Sequence, residues 1–273
     1  MMIIDFHHHL LDEPNYADRL VQEMKTLGIS KICISGLGIG KGRVDSTDYS
    51  GFNLGGLSPD NTDVLSVVKK YSDQLIGLGV INLGKDTPDI VAKLKAEGFR
   101  GLKTTRPKKS YDADEYMEFY SEAERLRMPF LFHTGMILPT VFDKDDDVSS
   151  ERMSPMKVDR IARNFPHLKI VLAHLGYPWY DEATTMVRYH KNVFVDLSGG
   201  ELGWRNRLSP TDFHKLFFWK GAFEKIVFGT DTDIKGIKGS LTDQMQLFHL
   251  LNLDDETIEK IMYKNASFLL GNS

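Results

Sequence analysis

Residues 3–9 have the sequence Ile3-Ile4-Asp5-Phe6-His7-His8-His9, in which a short apolar run leads directly into three histidines. The β-branched residues at its start favour a buried strand. In an extended chain, side chains two residues apart point the same way, so we expect His7 and His9 to project together while His8 points to the opposite side. Two imidazoles in this arrangement can bind one metal ion.

Similar apolar runs recur along the whole chain, and amphipathic helical segments lie between them. Because the runs are nearly continuous rather than alternating, they indicate strands that are covered on both faces. This pattern predicts an α/β fold, a single (β/α)8 TIM barrel of residues 1–273, with an open doubly wound sheet as the competing fold. After the first, the runs are Ile32–Ile34, Leu75–Ile81, Gly101-Leu102, Phe130–Phe132, Ile170–Leu172, Val193–Val195 and Ile226–Phe228.

Start signals mark several of the predicted helices. A hydroxyl residue followed by proline is typical of a helix N-terminus, because the hydroxyl caps the helix and proline fits its first turn. We therefore expect helices to begin after Thr87, Ser154 and Ser209. Asp112, with Glu115 three residues later, predicts a further start.

The composition excludes several classes of protein. The 273 residues are 41% hydrophobic and carry a formal net charge of −4, as in an ordinary soluble globular protein. Cys33 is the only cysteine, which favours a reducing, cytoplasmic location. Asp5 interrupts the first apolar run before a secretion signal could form. Residues 129–142, the longest uncharged stretch, are shorter than the about 20 residues that span a membrane. The sequence contains no basic block of the kind that would predict binding to nucleic acid.

Three other chemically active side chains closely follow predicted strands. His133 follows the fifth run, His174 the sixth and Asp231 the eighth. Singly, each is typical of a hydrogen-bonded core histidine or a helix-capping aspartate. The carboxyl ends of all strands meet at one face of a barrel, however, and buried imidazoles and carboxylates need partners. Together with His7 and His9, these residues therefore predict a metal site at that face.

The remaining histidines serve as a comparison set, because their positions do not bring them to that face. We expect structural or surface roles for His167, which precedes its strand, and for His190, His214 and His249, which lie in predicted helices.

Two irregular segments follow strands, where barrels build active sites. Residues 36–60 are rich in Gly, Ser, Asp and Asn, and residues 135–153 contain an acidic run at 143–147 that we interpret as a solvated loop. The stretch Gly36–Gly42 fits neither phosphate-binding pattern, because Lys41 replaces a required glycine and Gly42 a required Ser or Thr. We interpret it as a flexible lid hinge.

The ordered motifs resemble the amidohydrolase superfamily over nearly the whole chain. The likeness is closest to the amidohydrolase-related branch, which contains small lactonases and nonoxidative decarboxylases. The motifs are Asp5–His9, Phe132–Gly135, Val171–Gly176, Val195–Gly199, Gly229–Asp231 and the ending Leu253–Leu270 with its Asn265-Ala266 pair.

This resemblance implies a barrel with one divalent metal ion held by His7, His9, His133 and Asp231. His174 would be a further ligand or a catalytic group that polarises the substrate carbonyl, and Asp231 would also accept the proton of the attacking water. Three neutral nitrogen donors and a carboxylate suit Zn²⁺, with Mn²⁺ and Fe²⁺ as alternatives.

Two basic residues near the fourth strand are candidate substrate contacts. In binuclear relatives, a carboxylated lysine near the place of Lys103 bridges two metals. The present motifs resemble the mononuclear branch more closely, so we interpret Lys103 as an ion-paired or substrate-facing residue. Arg106 would suit a bidentate contact with a substrate carboxylate. Thr104, which follows the lysine, departs from the commoner sequence of the family.

Three functions are compatible with these residues. The first is a metal-dependent hydrolase that attacks a lactone, ester or amide carbonyl of a small, anionic metabolite. The second is a nonoxidative decarboxylase with the same ligands, because fold and metal do not fix the reaction. The third, a metal-binding barrel without catalysis, predicts a missing ligand or base, and none is missing. The expected partner is the small-molecule substrate, and a homo-oligomer is left open.

Overall fold

Eight parallel strands form one sheet in the computed structural model, which describes residues 1–38, 58–140, 143–199 and 204–271. Each strand pairs with the next one along the chain. A hydrogen bond of 2.9 Å from Phe6 N to Phe228 O links the first strand to the residue after the last. The predicted (β/α)8 barrel is confirmed, and the open doubly wound sheet is excluded. The strands are β1 (Ile4–His9), β2 (Lys31–Ser35), β3 (Leu75–Ile81), β4 (Gly101–Thr104), β5 (Phe130–Phe132), β6 (Ile170–Leu172), β7 (Val193–Asp196) and β8 (Ile226–Val227).

Helices lie between the strands and after the last one. None of those in the described ranges is long and apolar enough to cross a membrane. They are α1 (Tyr16–Leu27), α2 (Asn61–Lys70), α3 (Ile90–Glu97), α4 (Met117–Arg125), α5 (Asp143–Asp146), α6 (Asp159–Asn164), α7 (Tyr180–Tyr189), α8 (Pro210–Leu216), α9 (Ile234–Leu250), α10 (Asp255–Glu259) and α11 (Asn265–Leu269).

The predicted helix starts have mixed outcomes. Ser209 caps α8 in a capping box, as predicted, and Ser154 caps a short 3-10 turn that leads into α6. The cap expected at Thr87 is wrong, because α3 begins only at Ile90 and no side chain caps it. The start expected at Asp112 is also wrong, since residues 114–116 form a tighter 3-10 turn and α4 follows it.

The loop predictions differ in what the structure says about them. Residues 39–57, most of the predicted lid segment, lie outside the described residues. The acidic run is solvated as expected, since none of its residues is buried, but Asp143–Asp146 form one helical turn rather than an irregular loop. Asp146 pairs with Lys85 at 3.3 Å, and Asp143 accepts a hydrogen bond from Thr140 N. These partners stabilise the turn against the repulsion of its carboxylates.

Two apolar layers hold the fold together. The larger layer packs the outer faces of the strands against the helices. The smaller layer fills the barrel with inward-facing side chains such as Phe6, Leu131 and Phe194, and it includes Leu269 of α11 and the following Leu270. Arg100, which precedes β4, donates a hydrogen bond of 3.0 Å to Leu270 O. Helix α11 therefore closes the amino-terminal end, which leaves the carboxyl end for a site.

An irregularity in β1 determines which way its histidines face. The register of β1 against β2 shifts between Asp5 and His8. Phe6 packs inside the barrel. His7 also faces inward, because its ring contacts the inward-facing Lys103, so two consecutive residues point the same way. The Asp5 carboxylate accepts a hydrogen bond of 3.0 Å from His7 N, which satisfies that amide within the bulge. Bulges re-aim side chains in this way.

Candidate metal centre

Asp231 is the hub of a cluster of histidines at the carboxyl end of the barrel. Its Oδ1 atom lies 3.2 Å from His9 Nε2 and 3.7 Å from His7 Nε2. Its Oδ2 atom lies 3.5 Å from His174 Nε2. Ligand atoms of His7, His174 and Asp231 all lie within 4.8 Å of one another. Donor atoms on one tetrahedral ion, each about 2.1 Å from it, are about 3.4 Å apart. The spacing therefore suits a single metal ion.

Unusual backbone conformations present several of these side chains. Arg106, His174 and Asp231 have φ angles of 50°, 59° and 44°, in the left-handed region. Such residues cost about 1–3 kcal/mol each and persist only where neighbouring contacts hold them. For Asp231 one such contact is a hydrogen bond of 2.7 Å from its N–H to His7 O. The same bond sets the Asp231 carboxylate beside the end of β1.

His7 is completely buried and bonded through both ring nitrogens. Its Nδ1 atom lies 2.8 Å from Asp196 Oδ2, and its Nε2 atom lies 2.8 Å from Lys103 Nζ. Burial, followed by the charge of Lys103, lowers the pKa of His7 to about 4. The imidazole is therefore neutral at pH 7, as a metal ligand must be.

His9 has the arrangement of a metal-binding histidine. Its Nδ1 atom lies 2.9 Å from Gly36 O and 3.2 Å from Ser35 Oγ. Since a carbonyl oxygen only accepts, Nδ1 carries the hydrogen and Nε2 keeps its lone pair. Metal-ligating histidines commonly donate their second ring N–H to such a group.

His133 supplies a buried nitrogen that needs a partner. Within the part of the chain that the structure describes, His133 Nε2 makes no hydrogen bond. Its ring packs edge-on against that of His174 at 4.9 Å. Burial holds the pKa of His133 well below its usual range, so the ring is neutral. An unpaired buried nitrogen is costly, and a metal ion would remove that cost. A divalent ion therefore suits the neutral nitrogens and the carboxylate of this cluster, although among the described residues only His7, His174 and Asp231 have ligand atoms that all lie within 4.8 Å of one another.

Lys103 lies within the cluster rather than at its edge. The residue is 2% exposed, and its ammonium group donates to His7 Nε2. Burial lowers the pKa of Lys103 to about 8, although the charges of Asp231 and Asp196 act in the opposite direction. Lys103 and a metal ion would use the same lone pair of His7, so the amine has to move when an ion binds there.

Arg106 lies on the rim and is tied to the loop after β5. Its Nη2 atom donates to Leu138 O at 2.9 Å, and its Nε atom lies 3.7 Å from Asp143 Oδ1. Lys85 and Lys108 line the same small cavity as Arg106. Both lysines pair with Asp146, which offsets part of the positive charge.

Asp196 and Ser198 are members of the site that sequence reasoning missed. Ser198 Oγ lies 3.1 Å from His7 Nδ1 and 3.0 Å from His174 Nδ1. Burial by itself raises the pKa of Asp196, but its interaction with His7, which donates a hydrogen bond to it, holds it below its usual range. Asp196 is the last residue of β7, and His133 directly follows β5 in the same way. This position at a strand end is the sequence feature from which Asp196 could have been predicted.

The other histidines lie away from the cluster. His8 faces α1, where its ring nitrogens lie 2.9 Å from Tyr16 Oη and 3.1 Å from Thr230 Oγ1. His190 pairs with Asp159 at 2.8 Å on the outside of the barrel. His8 is thus turned away from Asp231, as the alternation of side chains predicts, but it is buried rather than solvated.

A (β/α)8 barrel with histidines and an aspartate at the carboxyl ends of its strands has the architecture of the TIM-barrel amidohydrolases. The chain belongs to the amidohydrolase family, whose model, described as "Amidohydrolase", matches residues 4–271. The resemblance seen in the sequence motifs is thereby confirmed. No curated protein matches the chain.

Several solved structures share the fold over the full length. An uncharacterised TIM-barrel protein from Bordetella bronchiseptica is 19% identical, with a TM-score of 0.73, and the match covers 100% of this chain and 99% of that one. A probable 2-pyrone-4,6-dicarboxylic acid hydrolase from Acinetobacter baumannii, with citric acid bound, is 16% identical, with a TM-score of 0.63 and coverage of 99% and 100%. A dihydroxybenzoic acid decarboxylase from Polaromonas, with bound manganese and 2-nitroresorcinol, is 17% identical, with a TM-score of 0.65 and coverage of 98% and 96%.

Proposed function

We propose that the protein is a metal-dependent hydrolase that attacks a lactone, ester or amide carbonyl of a small carboxylated metabolite. The observation that carries this proposal is the position of the Asp231 carboxylate. It lies within 3.7 Å of three imidazole nitrogens, and its side chain is 20% exposed, whereas those imidazoles are at most 13% exposed. The cluster is therefore closed below and open at Asp231, where water and substrate can approach.

His7, His9, His133 and Asp231 would hold the ion, which we propose to be Zn²⁺, with Mn²⁺ and Fe²⁺ as alternatives. The Nε2 atom of His174 lies close enough to Asp231 to serve as a further ligand. When bound, a divalent ion polarises a carbonyl oxygen and acidifies water, and in these respects it supplies what the side chains lack.

Asp231 is the candidate proton carrier. Burial on its own raises the pKa of Asp231, but its interactions with the neighbouring imidazoles, that of His7 first, hold it well below its usual range. The carboxylate is therefore ionised at neutral pH and can accept a proton from the attacking water. Its exposed side then allows it to pass that proton to the leaving group.

Lys103 and Arg106 are the candidate contacts for an anionic substrate. Lys103 is beside His7, and Arg106 lies on the rim with Lys85 and Lys108. This distribution favours a molecule that places its carbonyl at the cluster and a carboxylate toward the rim. The bound citric acid of the pyrone hydrolase is a ligand of the same chemical class.

A nonoxidative decarboxylase is the second candidate function. It is favoured by the decarboxylases among the structures that share the fold, one of which holds manganese. The same ligands would serve, because the carboxylate to be lost and a scissile carbonyl both carry oxygens that an ion can polarise.

One experiment separates the two reactions. Purified protein is analysed for metal and then incubated in ¹⁸O-labelled water with lactones and with aromatic and dicarboxylic acids. A hydrolase yields a product that carries one ¹⁸O atom, whereas a decarboxylase releases carbon dioxide without that label in the remaining product. Carbon dioxide release alone would replace the first candidate by the second. Protein that neither holds a divalent metal nor turns over any compound would contradict both.

Variants test the assigned residues directly. His7→Ala should lose its metal under mild chelation, because one nitrogen donor is removed. The control variant His214→Ala, at an exposed position in α8, should keep its metal. Asp231→Asn should lower kcat about 100-fold or more, since an amide cannot accept the proton. An unchanged kcat in Asp231→Asn would remove Asp231 from its role as the base.

A further inference from the structure

Asp196 is a completely buried carboxylate to which the proposed function gives no role. Its Oδ1 atom accepts hydrogen bonds from Ser198 Oγ at 2.6 Å, Ser198 N at 3.0 Å and His174 N at 2.8 Å. Its Oδ2 atom lies 2.8 Å from His7 Nδ1. Because an ionised carboxylate can only accept, His7 must carry its hydrogen on Nδ1.

Ser198 extends the same constraint to His174. Its one hydroxyl hydrogen is donated to Asp196, so toward His174 Nδ1, at 3.0 Å, Ser198 Oγ acts as an acceptor. Among the described residues, the other group near that nitrogen is the Ser198 carbonyl oxygen at 3.4 Å, which also only accepts. His174 therefore carries its hydrogen on Nδ1 as well.

We propose that Asp196, acting with Ser198, is the positioning residue that fixes the protons of His7 and His174 on Nδ1 and so keeps both Nε2 atoms free to bind a divalent metal ion. Those two Nε2 atoms face the Asp231 carboxylate at 3.7 and 3.5 Å. Hydrogen-bond partners behind metal ligands commonly act in this way. The inference rests on the proposed metal centre, but the proton positions are a property of the chain without metal.

Asp196→Asn is the decisive change, because the structure determines how the new amide must orient. Two main-chain N–H groups, of Ser198 and His174, point at Oδ1, so the amide oxygen takes that place. The amide NH2 group then faces His7 Nδ1 and donates to it. The hydrogen of His7 moves to Nε2, which requires the Lys103 amine to turn away and lets Asp231 Oδ1, 3.7 Å from Nε2, approach and accept it.

Asp5→Asn is the matched control, since Asp5 is equally buried and also contacts the end of β1. Its Oδ1 atom accepts from His7 N at 3.0 Å and from Thr230 N at 3.1 Å. Its Oδ2 atom accepts from the Thr230 hydroxyl, which can rotate to accept from an amide instead. Neither ring nitrogen of His7 contacts Asp5, so this variant should leave the proton of His7 in place.

The test uses metal-free protein labelled with ¹⁵N-histidine and long-range ¹H–¹⁵N spectra at pH 7, with His7 assigned from the spectrum of His7→Ala. The wild-type protein should have a protonated Nδ1 and an unprotonated Nε2 on His7. In Asp196→Asn the hydrogen should instead be on Nε2, and in Asp5→Asn it should stay on Nδ1. The milder Ser198→Ala should leave His7 unaltered and give His174 a mixture of both tautomers, which keeps the test available if Asp196→Asn fails to fold. Unaltered His7 resonances in folded Asp196→Asn, or an unaltered His174 in Ser198→Ala, would overturn the proposal.

Metal affinity gives the second readout, measured by competition of Zn²⁺ with a chromophoric chelator. Asp196→Asn should weaken Zn²⁺ binding about 10- to 100-fold relative to both the wild-type protein and Asp5→Asn. Equal affinities of Asp196→Asn and Asp5→Asn would overturn the link between proton position and metal binding. Wild-type protein that binds no metal while its tautomers respond as expected would contradict the proposed function and leave the positioning of the protons supported.

Discussion

Replacement of Gly135 by alanine should disturb the site without touching any of its side chains. Gly135 lies two residues after His133 and has a φ of 100°. A Cβ atom there would lie 2.1 Å from Tyr177 O and 2.8 Å from Gly176 C, both main-chain atoms. The backbone would have to separate by about 1 Å to relieve this overlap, which typically costs about 1–3 kcal/mol in a packed region. The left-handed conformation adds about 1–3 kcal/mol.

Gly98→Ala isolates the effect of the overlap. Gly98 follows the last residue of α3 and has a φ of 110°, close to that of Gly135, but a Cβ atom there would meet no atom of the described residues within 4 Å. Urea denaturation followed by circular dichroism should therefore give Gly135→Ala a free energy of unfolding about 2 kcal/mol lower than that of Gly98→Ala. Gly135→Ala should also bind Zn²⁺ more weakly, because the loops that carry His133 and His174 move apart. Equal stabilities of the two variants would refute the reasoning.

Two further predictions concern groups outside the metal ligands. Burial lowers the pKa of Lys225 to about 8. Between pH 8 and about 10.4 the unfolded chain therefore binds more protons than the folded protein does. The free energy of unfolding should rise with pH over that interval, by at most about 3 kcal/mol. Urea denaturation at pH 7.5 and 10 should show this rise in the wild-type protein but less of it in Lys225→Met, and equal pH dependences would contradict it. Tyr111→Phe removes the hydrogen bond of 2.9 Å from Tyr111 Oη to His133 O, and it should lower the free energy of unfolding by about 1–3 kcal/mol. An unchanged urea midpoint would show that this buried bond contributes nothing to stability.

Most of the barrel could be predicted because its signals are local. Each apolar run is a strand for reasons contained in a few consecutive residues, and Ser209 caps α8 through a residue three positions away. The failures occur where local signals do not decide the outcome. Asp112 is a residue type that commonly caps helices, but the chain forms a 3-10 turn after it. Whether such a segment forms a 3-10 turn or the first turn of an α-helix depends on packing against the barrel rather than on propensity.

Patterns in the sequence were enough to predict the alternation of strands and helices, the family, and the strand ends at which His7, His9, His133 and Asp231 lie. Side chains alternate along a strand, and the carboxyl ends of parallel strands meet at one face of the barrel, so residues at these ends are expected to converge there. The contacts of these residues, by comparison, become defined only when the chain folds. The bulge in β1, the amine of Lys103 beside His7, and the bond from Asp196 to His7 across 189 residues arise when the barrel closes. A hydrogen bond forms only when two atoms on different strands lie about 3 Å apart, and no periodicity along one chain encodes such distances.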